Sequence, residues 1–196
     1  MKVAVIDSGG ANIASVLHAL HRLGAEARLT RDVDEIRAAE RVILPGVGSA
    51  GAAMAQLNDA GLVELIRSLT QPVLGICLGL QLLFEHSTEG NVDCLGIIPG
   101  RVDKLETGER LRLPHMGWNQ LTWVKPEDPL ARNLSEKDWF YFVHSFAAPV
   151  DHAVATSQHG QRFAAIVRRG NFAACQFHPE KSAAAGARLI GNFLAP

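Results

Sequence analysis

A short apolar run, Pro72-Val73-Leu74, passes without a break into Gly75-Ile76-Cys77-Leu78-Gly79-Leu80-Gln81 and then into a helical pattern read as 78–86. A strand that becomes a helix with no loop between them must bend sharply, and small residues beside the bend let backbone pass backbone. The residue at the bend is thrust out above the end of the sheet. Here it is Cys77, placed where free N–H groups and the positive end of a helix dipole favour a thiolate. A cysteine in a core is ordinarily inert, so the segment acquires chemical meaning only beside a base.

Gln176-Phe177-His178-Pro179-Glu180 supplies one, about a hundred residues further on. It follows the apolar run Phe172-Ala173-Ala174-Cys175 and so reads as the end of another strand. Side chains at i and i+2 of an extended chain point the same way, and Pro179 biases His178 away from helix. Glu180 can then reach one imidazole nitrogen, set the tautomer and steady the imidazolium, while the other nitrogen faces the thiol. Taken alone each element has a plainer reading, a core cysteine or a solvated turn. Together, nucleophile, base and orienter are a mechanism.

The bulk properties narrow the class. A chain of 196 residues that is 47% hydrophobic can bury one sizeable core, and one domain over 1–196 is expected. A net charge of −1 gives no electrostatic case for nucleic acid or an anionic membrane. Cys77, Cys94 and Cys175 are odd in number and lack metal-ligand spacing, which favours reduced thiols over a disulfide frame. Met1-Lys2-Val3-Ala4-Val5-Ile6-Asp7 is too short in apolar length for a signal peptide and reads as a first strand. No stretch approaches a membrane helix, so a soluble cytosolic protein is expected.

The first half alternates strand and helix: strand 2–6, helix 12–23, weak strand 27–30, helix 32–39 opened by Asp32, strand 41–44, helices 49–58 and 62–69, strand 73–76. Repeated units of this length imply a parallel sheet with right-handed crossovers. Past Glu89 helical periodicity gives way to strand-like runs at 95–98, 102–105, 120–124, 140–143, 153–156, 163–167 and 172–177, before a last helix at 183–194. The expected architecture is one α/β domain whose parallel sheet is extended by antiparallel strands. In such sheets ligands bind beyond the carboxyl ends of the strands. Pro45-Gly46-Val47-Gly48, the Cys77 bend and His178–Glu180 all end strands, so they should meet in one crevice. Backbone N–H groups of the glycine-flanked loop, with that of Leu78, can form an oxyanion hole there.

These blocks resemble the class I, triad-type glutamine amidotransferases. Within that superfamily the chain is similar to the glutaminase subunits of imidazole glycerol phosphate synthases, through Asp7-Ser8-Gly9-Gly10-Ala11-Asn12, Leu44-Pro45-Gly46-Val47-Gly48, Pro114-His115-Met116-Gly117-Trp118-Asn119 and Tyr141-Phe142-Val143-His144-Ser145. The resemblance implies a flavodoxin-like three-layer sandwich, glutamine as substrate, no cofactor or metal ion, and a heterodimer with a (β/α)8-barrel cyclase that receives the ammonia. Carried over by motif, Cys77 is the nucleophile, His178 the general base and acid, and Glu180 its orienter. The oxyanion donors are Leu78 and either Val47 or Gly48. Gly46, Gln81, Glu89 and the backbones of His144, Ser145 and Phe146 correspond to glutamine-binding positions, with Glu89 opposite the α-ammonium. Asn12, Trp118, Tyr141 and Lys181 correspond to positions near the partner. Phe146 stands where tyrosine is common, so a hydroxyl there is absent, and residues 8–11 vary the usual first loop. Cys94 and Cys175 match no catalytic position. A glutaminase serving a different synthase, or a non-catalytic flavodoxin-like binding module, are the rival readings.

Overall fold

The computed structural model describes residues 1–9, 13–108 and 111–195. Its first half runs β1 (Lys2–Ile6), α1 (Ile13–Arg22), β2 (Glu26–Thr30), α2 (Val33–Ala38), β3 (Arg41–Gly46), α3 (Ala50–Asp59), α4 (Val63–Arg67), β4 (Val73–Cys77) and α5 (Leu78–Leu82). The second half contains β5 (Phe84–Ser87), β6 (Val92–Asp93), β7 (Ile98–Lys104), β8 (His115–Gln120), β9 (Thr122–Trp123), β10 (Trp139–His144), β11 (Phe146–Ala147), β12 (Ala153–His159), β13 (Gln161–Arg169), β14 (Phe172–Cys175) and α6 (Ala183–Leu194). Asn12, expected to open the first helix and to face a partner, lies outside the described residues.

β4 and β14 are buried at every position and β3 at all but its first, so both their faces must be covered. They lie at the centre of an eight-stranded sheet in the order β2-β1-β3-β4-β14-β13-β12-β9. The first five strands are parallel and the last three continue antiparallel. β2-β1-β3-β4-β14 is the 2-1-3-4-5 order of flavodoxin-like sheets, with a strand from the far end of the chain in fifth place. Alternate side chains divide the core: Ala4, Ile6, Val42, Leu44 and Val73 pack with Ile36, Leu57 and Ile66 of α2, α3 and α4. Val3, Val5, Ile43, Leu74 and Ile76 pack on the opposite face with Leu20 of α1 and Leu189, Ile190 and Phe193 of α6. Helix caps agree with the sequence: Asp32 accepts from the N–H groups of Asp34 and Glu35, and Ser49 from that of Ala52.

Three expectations change. The helix after Cys77 ends at Leu82, not near residue 86, because Leu82, Leu83 and Phe84 give their carbonyls to the N–H groups of Leu95, Ile97, Ile98 and Gly96. Residues 95–97 therefore cap a helix instead of forming a strand. The runs at 102–105 and 140–143 do not extend the main sheet: β7 joins β11, β5 and β6 in a four-stranded sheet, and β10 pairs with β8 as a separate antiparallel two-stranded ribbon. Of the expected stripe Ala187, Ile190 and Leu194 on α6, Ala187 is exposed, while Ile190 and Leu194 are buried with Ala185, Leu189 and Phe193.

Candidate active site

Cys77 closes β4 with φ 55° and ψ −109°, a conformation that costs an L-residue energy and persists only where packing over-determines it. The packing is visible on both sides of the bend. A Cβ at Gly75 would stand 2.7 Å from the Gly79 carbonyl oxygen, and one at Gly79 only 1.9 Å from that of Leu44. Glycine at 75 and 79 thus lets α5 start hard against β3 and β4 and forces the sulfur outward. Gly46 fits the same joint, since an added Cβ would meet Leu78 Cβ at 2.8 Å. Because α5 is one short turn of helix, its dipole contributes less at Cys77 than a longer helix would.

His178 follows β14 and opens a 3-10 turn over Pro179–Lys181. Its Nδ1–H donates to Glu180 Oε1 at 2.8 Å, between side chains that are 6% and 0% exposed. That leaves Nε2 for Cys77. Burial disfavours charge on His178, but hydrogen bonds and negative charge from Cys77 and Glu180 outweigh it and push the imidazole up to about 10. The backbone is tied as well. His178 N–H donates to the Tyr141 carbonyl at 2.9 Å, while Ser182 Oγ accepts from Tyr141 N–H at 2.9 Å and donates to the His178 carbonyl at 2.7 Å. Around the sulfur stand the Val143 carbonyl at 3.8 Å and Gln176 Nε2 at 3.9 Å.

The other cysteines differ in kind. Burial, with the charge of Asp93, pushes Cys94 up to about 11; burial, with the charges of Glu180 and Cys77, pushes Cys175 well above the ordinary thiol range. Both remain protonated and poorly nucleophilic at neutral pH.

A cleft of about 350 Å³ opens over Cys77, lined by Val47, Gly48, Leu78, Gln81, Glu89, His144, Ser145, Phe146, His178 and Lys181. The three strand ends therefore converge, as the sheet rule requires. Gly46 lies just behind the cleft, beside a void of about 10 Å³ shared with Ser8 and Glu180. Gln81 is spent largely on the protein: its amide donates to the Phe146 carbonyl at 2.9 Å and to Gln176 Oε1 at 3.1 Å. Glu89 Oε2 accepts from the N–H of Ala50 at 3.0 Å, which tethers it to the end of the Val47–Gly48 loop. A separate groove of about 400 Å³ is lined by residues of β1, β2 and α2 and includes none of Cys77, His178 and Glu180.

Trp118 and Tyr141 sit outside the cleft, on the outer face of the β8–β10 ribbon, with ring centroids 5.8 Å apart. The register pairs Met116 with Val143, Trp118 with Tyr141 and Gln120 with Trp139, so these six side chains share that face. Met116, Trp118 and Trp139 are 62%, 49% and 51% exposed, a concentration of large apolar side chains that marks an interaction surface.

Residues 4–195 match the model of the class-I glutamine amidotransferase family. The chain belongs to that family. Among curated relatives, imidazole glycerol phosphate synthase subunit HisH of Xanthomonas campestris pv. campestris (strain 8004) is 53% identical over 98% of this chain and 96% of its own length. The same-named subunit of Xylella fastidiosa (strain Temecula1 / ATCC 700964) is 54% identical with the same coverage. Solved structures share the fold at lower identity. A glutamine amidotransferase crystal structure superposes with TM-score 0.75 at 20% identity over 98% of this chain and 96% of that one. PurLQS from Thermotoga maritima gives 0.73 at 21% over 98% and 97%.

This amidotransferase has site residues that motif reading left without a role. Gln176, fully buried, bridges Gln81 and the sulfur. Ser182 joins β10 to His178, and Ser8 Oγ donates to the Pro45 carbonyl at 2.8 Å, holding the loop below the cleft. Ser8 lies within a motif block and Ser182 two residues past another, but their contacts to Pro45 and Tyr141 depend on strands distant in sequence. No helix is long and apolar enough to cross a membrane among the described residues.

Proposed function

We propose that this amidotransferase is the glutaminase subunit of an imidazole glycerol phosphate synthase. It hydrolyses glutamine and delivers ammonia to a (β/α)8-barrel cyclase that makes imidazole glycerol phosphate and AICAR in histidine biosynthesis. The whole chain acts as one glutamine amidotransferase type 1 domain, in the cytoplasm, as half of a heterodimer. The observation that carries the reading is the thiol at the bend of β4 with His178 and buried Glu180 beside it, in an amino-acid-sized cleft. The near-complete alignment with HisH subunits at more than half identity supports the choice of synthase.

The Cys77 thiolate attacks the side-chain amide carbon of glutamine; a C–S bond forms and the amide oxygen becomes an oxyanion. The N–H of Leu78 and one from Val47 or Gly48 stabilise that charge, each worth on the order of 10²–10³ in turnover. Protonated His178 gives its Nε2 proton to the amide nitrogen, the C–N bond breaks and ammonia leaves. Water then loses a proton to His178 and attacks the thioester, releasing glutamate and restoring the thiolate. Glu180 keeps the imidazole in the tautomer and orientation both steps need. Glu89 faces the substrate's α-ammonium, with the backbones of His144, Ser145 and Phe146 along the rim. Lys181, Trp118 and Tyr141 mark the side from which the cyclase docks and ammonia departs.

Hydrolysis without an acceptor wastes glutamine, and the Val47–Gly48 peptide, with Gly48 at φ 93°, is a bistable element that a partner can bias. The experiment measures glutamine turnover of the free chain, the complex with cyclase, and the complex holding the cyclase's nucleotide ligand. The expected result is poor turnover by the free chain and stimulation of roughly a hundredfold with ligand, equivalent to about 2.7 kcal/mol of bias toward the active state. Equal turnover in all three states contradicts control by the partner, and no turnover in any contradicts the activity.

A further inference from the structure

The imidazoles of two buried histidines on the β8–β10 ribbon take no part in the chemistry above. His115 and His144 face each other across the register, on the side away from Trp118. His115 Nδ1 lies 3.0 Å from His144 Nε2. His144 Nδ1 lies 2.8 Å from the Phe146 carbonyl, and Asn119 Nδ2 lies 3.3 Å from His115 Nε2. The direction of every bond is settled by backbone groups at the two ends. The Phe146 carbonyl only accepts, so His144 carries its proton on Nδ1 and offers Nε2 as acceptor. His115 must then donate from Nδ1, leaving Nε2 to accept from Asn119. Asn119 is oriented in turn, because its Nδ2 donates to the Gln158 carbonyl at 2.9 Å and its Oδ1 accepts from Gln120 N–H at 2.8 Å. One arrangement of protons satisfies the whole chain with both rings neutral. Burial, with the charge of His159, pulls His115 down to about 4; burial, against the hydrogen bond to Phe146 and helped by the charges of His115, His159 and His178, pulls His144 down to about 3.

The chain ends at the cleft. The Phe146 carbonyl that accepts from His144 also accepts from Gln81, whose amide reaches Gln176 and so the sulfur. We infer that His115 and His144 are positioning residues for glutamine binding: they fix the Phe146 carbonyl, and with it the rim backbone and Gln81, from the strand that carries the partner-facing Trp118. The inference rests on the reading of residues 144–146 as the glutamine rim.

The test uses the complex with cyclase. His115→Phe keeps an aromatic ring in the stack with Phe142, 4.8 Å away, but removes the donor to His144. It should raise the KM for glutamine about tenfold, the cost of leaving a buried acceptor unpaired, with kcat changed less than about twofold. His115→Asn, whose amide can donate from near the Nδ1 position while filling the site less well, should recover most of that loss. A structural role alone predicts the opposite ranking, with phenylalanine the better substitute. Asn119→Leu, at the half-exposed end of the chain, should shift KM in the same direction by about threefold and serves if His115→Phe unfolds. Glu89→Gln reports on the rim separately. A KM that rises in Glu89→Gln but not in His115→Phe or Asn119→Leu overturns the inference alone; a KM unmoved in all three overturns the substrate assignment beneath it. Failure of asparagine to improve on phenylalanine also overturns the positioning role.

Discussion

His178 holds a proton that its buried position would by itself refuse, and Glu180 with Cys77 is the reason. The base should therefore be indispensable and its orienter only partly so. His178→Ala is expected to lower glutamine turnover by at least about 10³, whereas Glu180→Gln, which keeps an acceptor beside Nδ1, retains measurable activity. Steady-state kinetics with Glu180→Gln the more damaged would reverse these roles. The same protons link to stability. A histidine raised to about 10 stabilises the fold fully below its ordinary value near 6.5, and that stabilisation is lost as pH rises through about 10. His115 and His144, lowered to about 4 and about 3, act in the other direction: their contribution is full above about 6.5 and is lost as pH falls toward those values. Unfolding midpoints should fall on both sides of neutrality, and His115→Phe should flatten the acid side. An unchanged acid slope in that variant would mean that His115 is not a source of it. The meeting of Cys77 with His178 and Glu180 was legible in the sequence because each of the two segments ends an apolar run. The His115–His144 pair was not, since neither position signals that the other is 3.0 Å away.

At the scale of elements, the bend between β4 and α5 depends on glycine more than on any polar contact. Gly79→Ala places a Cβ where the Leu44 carbonyl already stands, 1.9 Å away, and no rotamer relieves a Cβ clash. Urea denaturation should show a loss of about 3 kcal/mol, together with loss of activity from a displaced Cys77. A variant of wild-type stability and turnover would mean that β3 and α5 are not held at this spacing. Strands β1, β3, β4 and β14 were readable from uninterrupted apolar runs, and the caps at Asp32 and Ser49 from local chemistry. The end of α5 was not readable, because carbonyls of Leu82, Leu83 and Phe84 are claimed by N–H groups of residues 95–98. β8 was hidden for a different reason: its buried side carries His115, Gly117 and Asn119 instead of aliphatic residues, so it lacks strand hydrophobicity. Tertiary pairing, invisible to a local pattern, decided both.

For the whole molecule, the proposed reaction is divided between two surfaces that meet at β10. Its Tyr141 shares the outer face of the β8–β10 ribbon with Trp118, while its backbone holds His178 directly and through Ser182. In the proposed synthase, a cyclase gripping that face would reach His178 through these hydrogen bonds. Trp118→Ala should raise the Kd for the cyclase at least about tenfold, as loss of a large aromatic anchor does; isothermal titration giving an unaltered Kd would move the interface elsewhere. The most direct test of the central claim, that the thiol at this bend makes the ammonia, is Cys77→Ser in the assembled synthase. It should abolish glutamine-dependent synthesis of imidazole glycerol phosphate while added ammonia still supports it. Substantial glutamine-dependent synthesis by that variant would contradict the account.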